Sequence, residues 1–134
     1  MKSVNAYLSF DGNCRQAMEF YSKCLGAELD VKPYPDAAGQ PATDPDAKLM
    51  HSQLAVNARP ILMASDTHQP GTLKPGDNFS MSIDCDSVAE AESLFAALSQ
   101  GGVVRMPLTH APWGAMFGML TDQFGIQWML NCYL

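Results

Sequence analysis

The feature that most constrains the fold is a pattern of elements that occurs twice. Alternating polarity and helical periodicity predict a strand, a helix and three further strands in the first half, and the same order in the second half. Asn5 and Asn78 occupy matching places, and Gly26 and Gly101 follow the two helices. Residue identity between the halves is weak, so the order of elements carries the evidence for a repeat. A chance likeness between two halves of an ordinary α+β domain is the alternative.

The first half begins with a strand of alternating polarity at 4–10 and a helix at 14–25, whose apolar residues recur every three or four positions. Asn13 is a cap-type residue before this helix, and Gly26 is a C-terminal stop. A strand at 27–34, an exposed proline-rich loop at 35–46 and a hairpin of strands at 49–57 and 61–65 complete the half.

The second half repeats this order after a linker at 67–77. A strand at 78–84 precedes a helix whose start, from Ser87 to Glu90, has capping-box spacing, and Gly101 follows that helix. A strand at 103–106, a loop at 107–112 and a terminal hairpin with apolar runs at 116–120 and 126–130 follow. A chain of 134 residues is one domain by length. We divide it into module one at about 1–66 and module two at about 78–134.

Alternation along the strands separates an apolar face from a hydrogen-bonding face. The apolar set is Leu8, Phe10, Met50, Leu54, Val56, Phe79, Met81 and Ile83. The polar set is Asn5, Tyr7, Ser9, His51, Gln53, Asn78, Ser80, Ser82, Gln127 and Asn131. If the helices cover the apolar face and the sheet curves, the polar face becomes a pocket of neutral donors and acceptors, which is typical of a small-molecule site. A plain solvated sheet face is the alternative.

Several of these side chains are candidate site residues. The predicted ligand-binding set is Asn5, Tyr7, His51, Gln53, Asn78, Trp113, Phe117 and Asn131. His51 is the best candidate for catalysis, as a general base or a ligand-orienting donor, and a purely structural hydrogen bond is the alternative. Trp113 suits either a lid over the pocket or a dimer interface. Trp128 alternates with apolar neighbours, so we predict that it lies in the core.

Charge and cysteine content limit the classes of partner and compartment. Eight basic and fourteen acidic residues give a net charge of −6, which disfavours nucleic acid and anionic membranes and favours neutral or cationic ligands. No apolar run is long enough to span a membrane, and the start lacks a signal-peptide core, so we expect a cytoplasmic protein. The four cysteines form no C-x-x-C pair, and we predict free thiols rather than disulfides or metal ligands.

The residues also resemble a known family. Two βαβββ modules of this size are similar to the vicinal oxygen chelate superfamily, which includes glyoxalase I, bleomycin-resistance proteins and extradiol dioxygenases. The likeness to its PhnB-like branch rests on Tyr7-Leu-Ser-Phe-Asp-Gly-Asn-Cys14, Ala17-Met-Glu-Phe-Tyr21 with Leu25-Gly-Ala27, His51, Met63-Ala-Ser-Asp66, Trp113-Gly114, Phe117-Gly118 and Asp122-x-Phe-Gly125-x-x-Trp128-x-x-Asn131. The resemblance implies an α+β fold, with a cupped mixed sheet and helices on its outer face. It also implies a homodimer.

The resemblance further implies where a catalytic metal would bind. Metal enzymes of this superfamily use a His/Glu set whose positions correspond here to Asn5, Leu62, Asn78 and Met129. None of these is a ligand that a divalent metal of the zinc type prefers. The four glutamates, Glu19, Glu28, Glu90 and Glu92, fall in or just after predicted helices and therefore away from the cup. We predict no catalytic metal and no cofactor.

Two classes of function follow. The first is a homodimeric, metal-free binding protein of the glyoxalase/bleomycin-resistance type that holds a small molecule in its cup. The second is a glyoxalase-type enzyme, a lyase, isomerase or dioxygenase, that is metal-dependent or assisted by His51. The absence of carboxylates at the metal positions favours the first class.

Overall fold

A computed structural model describes all residues from Met1 to Leu134. They divide into two compact units, Met1–Lys74 and Pro75–Leu134, whose boundary falls inside the linker predicted at 67–77. Each unit contains a strand, a helix and three strands in that order, with one four-stranded mixed sheet per unit. The predicted α+β class and the two βαβββ modules are therefore confirmed. No helix has the length and apolar character needed to cross a membrane.

Unit one contains one helix on one face of its sheet. Its elements are β1 (Tyr7–Phe10), α1 (Cys14–Leu25), β2 (Glu28–Pro33), β3 (Leu49–Val56) and β4 (Arg59–Asp66). The strand order is β1-β4-β3-β2, in which only the β1–β4 pair is parallel. Met18 and Tyr21 of α1 are fully buried, as are Leu54 and Ala64 of the sheet. Burying these apolar side chains between helix and sheet stabilises the unit.

Unit two repeats this topology. Its elements are β5 (Met81–Asp84), α2 (Val88–Leu98), β6 (Val103–Ala111), β7 (Ala115–Thr121) and β8 (Gln127–Tyr133), with strand order β5-β8-β7-β6. Ser87 is the N-cap, because its hydroxyl accepts a hydrogen bond from the backbone N–H of Glu90. The Glu90 carboxylate accepts the backbone N–H of Asp86 at 3.0 Å, one residue before the Ser87 N–H that a capping box would use. Trp128 is buried, as predicted, and its indole N–H donates to the Asp122 carboxylate at 2.8 Å.

The predicted loop at 107–112 is wrong over most of its length, because β6 continues to Ala111. Thr109 pairs with Phe117 and His110 with Met116, so this segment forms the outer strand of the sheet. The ladder is irregular between Met106 and Thr109. Pro107 lies in that gap and has no N–H to donate, which is why a proline is tolerated on this edge strand.

The start of α1 also differs from the prediction. Asn13 makes no capping hydrogen bond with its side chain. Instead, one carboxylate oxygen of Asp66 accepts the backbone N–H groups of Gly12 and Cys14, both at 2.9 Å. The other oxygen accepts the N–H of Leu49 at 2.8 Å. Asp66 thus supplies the cap from the end of β4, and its negative charge also suits the positive end of the helix dipole.

Three residues assigned to the apolar face lie elsewhere. Met50 is 46% exposed because the β2–β3 register shifts beside it, which turns Leu49 rather than Met50 into the core. Phe79 is 57% exposed because β5 begins only at Met81. Val56 is exposed because it is the last residue of β3, beyond a second register shift.

Candidate functional site

The face of the unit-one sheet opposite α1 carries the predicted polar residues, and we call it the open face of unit one. Tyr7 pairs with Met63, Met63 pairs with Gln53, and Gln53 pairs with Asp30, so these four residues share that face. Ser9 pairs with Ser65 on the same side. Their alternation with Leu8, Phe10, Leu62, Ala64 and Leu54, all buried, follows from the period of two along a strand.

The open face brings Tyr7 and His51 together. The Tyr7 hydroxyl and His51 Nδ1 lie 3.0 Å apart, and the ring centroids are 5.7 Å apart. The hydroxyl can donate to Nδ1 or accept from it, depending on the histidine tautomer. Tyr7 is half exposed and His51 is partly buried. The pair can therefore orient a polar ligand group, or pass a proton between phenol and imidazole.

A cavity of about 500 Å³ opens beside Tyr7, which lines it, whereas His51 does not. Its lining is Tyr7, Ser9, Tyr34, Met50, Ser65, Asp66, Thr67, His68, Thr72, Leu73 and Lys74. Hydroxyl groups predominate among the polar groups of this wall. Tyr34 packs against His68 with ring centroids 5.2 Å apart, and its hydroxyl donates to the Asp66 carbonyl at 3.1 Å. The wall thus combines hydroxyl donors and acceptors with an apolar portion from Met50 and Leu73.

A second cluster lies on the face of the unit-two sheet opposite α2, which we call the open face of unit two. Asn131 pairs with Phe117, and the Trp113 indole N–H donates to the Asn131 side-chain oxygen at 3.1 Å. The Trp113 and Phe117 rings meet edge to face at 5.2 Å between centroids. Asn131 is only 8% exposed as a result. Three of the predicted site residues therefore contact one another here.

The remaining predicted site residues, Asn5, Gln53 and Asn78, do not line the cavity. Gln53 is partly buried on the open face of unit one but does not line the cavity. Asn5 precedes β1, is exposed, and donates to the Ser3 hydroxyl at 3.0 Å. Asn78 is exposed and precedes β5. Both asparagines lie outside the strands, because each first strand begins later than the alternation indicates.

The chain's donor set does not fit a divalent metal centre of the glyoxalase type. Leu62, which corresponds to one of the superfamily's metal-ligand positions, is 2% exposed on the α1 side, and Met63 and Ser65 are the open-face residues of β4. Glu28 lies in β2 opposite Ala55, so its assignment away from the polar face is wrong. Nevertheless, no three His, Cys, Asp or Glu side chains form a group that could hold a metal ion. Hydroxyl, amide and thioether groups are poor ligands for such metals.

Cys14, Cys24, Cys85 and Cys132 all lie outside disulfides in the structure. Burial raises the pKa of the Cys14 thiol, which lies 3.5 Å from the Ser52 hydroxyl, to about 11. Burial likewise raises the pKa of Cys85 to about 11. These thiols are protonated near neutral pH, which makes them poor nucleophiles.

Sequence reasoning missed part of the cavity wall. Thr67, His68, Thr72 and Lys74 line the cavity, but they lie in the segment that the sequence indicates to be a linker. Tyr34 also lines it, and lies one residue beyond the end of β2, although the predicted strand at 27–34 includes it. A polar residue in a loop carries no periodic signal, so its position can be known only from the fold. The buried Asp66 was part of the family resemblance, although its capping role was not predicted.

Comparison with known proteins is consistent with this architecture. A family model described as "Glyoxalase/Bleomycin resistance protein/Dioxygenase superfamily" matches residues 3–130. The chain is 32% identical to "Protein YjdN" of Escherichia coli K12 over 96% of this chain and 93% of that protein. A crystal structure of protein PA1353 from Pseudomonas aeruginosa is 44% identical, with a TM-score of 0.85 and coverage of 99% and 98%.

A structure from Bacillus cereus, described as a putative 3-demethylubiquinone-9 3-methyltransferase, PhnB protein, shares the fold. Its TM-score is 0.79 at 23% identity, with coverage of 98% of this chain and 99% of that one. The match of the family model over nearly the whole chain, together with the relative from E. coli, establishes the family. The protein belongs to the glyoxalase/bleomycin resistance protein/dioxygenase superfamily.

Proposed function

We propose that this protein is a homodimer that binds a small molecule on the open face of unit one, without a metal or another cofactor. The observation that carries the proposal is the cavity of about 500 Å³ beside the Tyr7–His51 pair. Small-molecule sites are concave, are partly apolar and contain a few placed polar groups. This cavity has those three properties.

The lining favours a neutral ligand with several oxygen or nitrogen atoms. Ser9, Ser65 and Thr67 present hydroxyl groups that can donate or accept hydrogen bonds. Lys74 adds an ammonium group, whereas the Asp66 carboxylate is already engaged by three backbone N–H groups. Of the neutral and cationic ligands expected from the net charge, the neutral class therefore fits this wall better.

Dimer formation is supported by apolar residues on an outer strand. The exposed large apolar side chains of β6 are Val103, Val104 and Met106, and β6 is an edge strand of its sheet. An exposed apolar edge strand is a favourable surface for a second chain. Sedimentation equilibrium should give twice the chain mass, and Val104→Lys should shift the equilibrium towards the monomer.

A second candidate function is a metal-free enzyme that uses the Tyr7–His51 pair for proton transfer. The 3.0 Å contact is the observation that favours it. In such an enzyme, removal of the Tyr7 hydroxyl would lower turnover more than ligand affinity. In a binding protein, the same change would lower affinity alone.

The test begins with a thermal-shift screen of neutral polar compounds on the purified protein. A compound present at 100 times its dissociation constant adds about 2.7 kcal/mol to the free energy of unfolding, which raises the melting temperature measurably. Tyr7→Phe should weaken the response directly, because Tyr7 lines the cavity. His51→Ala should weaken it indirectly, because His51 does not line the cavity but lies 3.0 Å from the Tyr7 hydroxyl. Gln53→Ala is the matched control, because Gln53 shares the open face but does not line the cavity. A response unchanged in Tyr7→Phe and His51→Ala would refute this site.

Metal dependence is tested separately, with Ni²⁺, Zn²⁺, Co²⁺ and Mn²⁺ against a protein sample treated with EDTA. We expect none of these ions to raise the melting temperature, since the open faces lack a suitable donor set. A shift that disappears in His51→Ala would overturn the metal-free proposal and make the metal-dependent enzyme the leading interpretation.

A further inference from the structure

A row of sulfur-containing side chains crosses the unit-two sheet. Asp84 of β5 pairs with Asn131 of β8, and the backbone N–H of Cys85 donates to the Asn131 carbonyl at 2.7 Å. In a parallel ladder, a residue that donates to position 131 stands beside position 132. Cys85 is therefore the neighbour of Cys132 across the β5–β8 pair.

The row continues on the other side of Cys132. Met116 of β7 pairs with Cys132, and His110 of β6 pairs with Met116. Directly paired residues on neighbouring strands project to the same face of a sheet. The order across the four strands is therefore Cys85, Cys132, Met116 and His110.

This row lies on the face that α2 covers, opposite the Trp113 cluster. Gly118 is two residues from Met116 and shares its face, and a Cβ atom at Gly118 would lie 2.8 Å from the Phe95 ring of α2. Both thiols are buried and outside disulfides, and the Cys132 thiol donates to the Tyr133 carbonyl at 3.7 Å. Met116 is partly buried, and His110 is exposed. The row thus runs from the covered part of the sheet to its solvent-exposed edge.

We propose that Cys85, Cys132 and Met116 form a binding site for a soft monovalent metal ion of the Cu(I) class. Thiolate and thioether sulfurs are the ligands that select Cu(I). The third ligand is a thioether, so this set differs from the groups of three His, Cys, Asp or Glu that the chain lacks. Binding replaces the two thiol protons with one cation and involves no electron transfer.

The spacing of the strands fits a bridging ion better than a disulfide. Neighbouring strands lie about 4.8 Å apart, so paired side chains stand at roughly that separation. A disulfide requires a Cβ–Cβ distance of about 3.8 Å, which would pull the strands together by about 1 Å. Two metal–sulfur bonds of about 2.3 Å each span up to about 4.6 Å, and somewhat less where the Met116 thioether joins as a third ligand. An ion can therefore bridge the two sulfurs without moving the strands.

The test is an anaerobic titration of the full chain against the coloured Cu(I) complex of bathocuproine disulfonate. We expect the protein to withdraw one Cu(I) per chain. Cys85→Ser and Cys132→Ser should each weaken binding by more than the 10- to 100-fold loss typical of a residue outside the ligand shell. Met116→Leu, which keeps the volume but removes the sulfur, should weaken binding less.

Cys24→Ser is the matched control, since Cys24 is a partly buried cysteine on α1 of the other unit and forms no disulfide. It should bind Cu(I) as the wild type does. X-ray absorption of the loaded protein should show two or three sulfur neighbours, and near-ultraviolet circular dichroism verifies that each variant is folded. The proposal would be overturned if the protein failed to withdraw Cu(I), or if folded Cys85→Ser and Cys132→Ser variants bound Cu(I) as tightly as the wild type.

Discussion

Replacing Asp66 with asparagine should destabilise unit one strongly, because the carboxylate accepts three backbone hydrogen bonds, two of them buried and one partly buried. The two oxygens receive the N–H groups of Gly12, Cys14 and Leu49 at 2.8–2.9 Å, and Asp66 is 2% exposed. An amide in the same place has one accepting oxygen, so its NH₂ group must face at least one backbone donor. No rotation of the side chain can satisfy all three donors.

The magnitude follows from these contacts. A hydrogen bond to a charged group contributes about 1.5–3 kcal/mol, and a buried donor left unsatisfied costs about 1–3 kcal/mol. Losing at least one bond and weakening the others should lower the free energy of unfolding by about 3 kcal/mol. For a chain of this size, each kcal/mol corresponds to roughly 3–5 °C, so the melting temperature should fall by about 10 °C.

Chemical denaturation in urea, followed by tryptophan fluorescence and far-ultraviolet circular dichroism, measures the difference directly. Asp30→Asn is the control, because Asp30 is an exposed residue of an edge strand in the same sheet. It should change stability by less than about 0.5 kcal/mol. If Asp66→Asn were within 1 kcal/mol of the wild type, the carboxylate would not be the cap that organises α1, β3 and β4.

Three further changes test other parts of the fold. Ala58 has φ 63°, a left-handed conformation that costs a non-glycine residue about 1 kcal/mol, so Ala58→Gly should raise the urea midpoint. Gly102→Ala should prevent stable folding, because the added Cβ would clash with the Thr121 carbonyl oxygen. The Cβ of Gly114→Ala would meet no atom within 4 Å, so thermal melting should show a loss of only about 1 kcal/mol in the free energy of unfolding. Burial raises the pKa of Cys14 from 9.0 to about 11, so the thiol ionises in the unfolded chain at a lower pH than in the folded one. The free energy of unfolding should therefore be constant below pH 9 and lower by about 2 kcal/mol at pH 11. Cys14→Ala should remove this part of the alkaline loss in denaturation measured from pH 7 to 11.

The order and type of the elements could be predicted because they depend on local periodicity. The first helix matches its predicted bounds, Cys14–Leu25, because it has an apolar stripe and a clear end. The second, Val88–Leu98, begins at the predicted cap and ends three residues before Gly101. Met50 could not be placed correctly, because a bulge changes the alternation without changing the composition. The extension of β6 through Pro107 was missed for a related reason, since a proline usually indicates a loop.

The candidate site was predictable where it lies on strands and unpredictable where it lies between them. Tyr7 and His51 were assigned to one face by alternation, and they form a hydrogen bond in the structure. Trp113, Phe117 and Asn131 likewise form one cluster. The far wall of the cavity depends on the path of the 67–74 segment, which is determined by tertiary contacts rather than by a local pattern.

The two modules share one topology but use their open faces differently, and this difference bears on where a ligand binds. In unit two, the Trp113 indole N–H donates to the Asn131 side-chain oxygen, so that oxygen has its hydrogen bond within the chain. Trp113 also packs on Phe117, and Ala115 on the same face is fully buried. In unit one, hydroxyl groups line a cavity, and Asp66 at its wall also holds the start of α1. A ligand bound in that cavity would therefore contact the residue whose carboxylate holds α1, β3 and β4 together. The open face of unit two is occupied by Trp113 of the chain itself, whereas the open face of unit one carries the cavity that we propose as the ligand site.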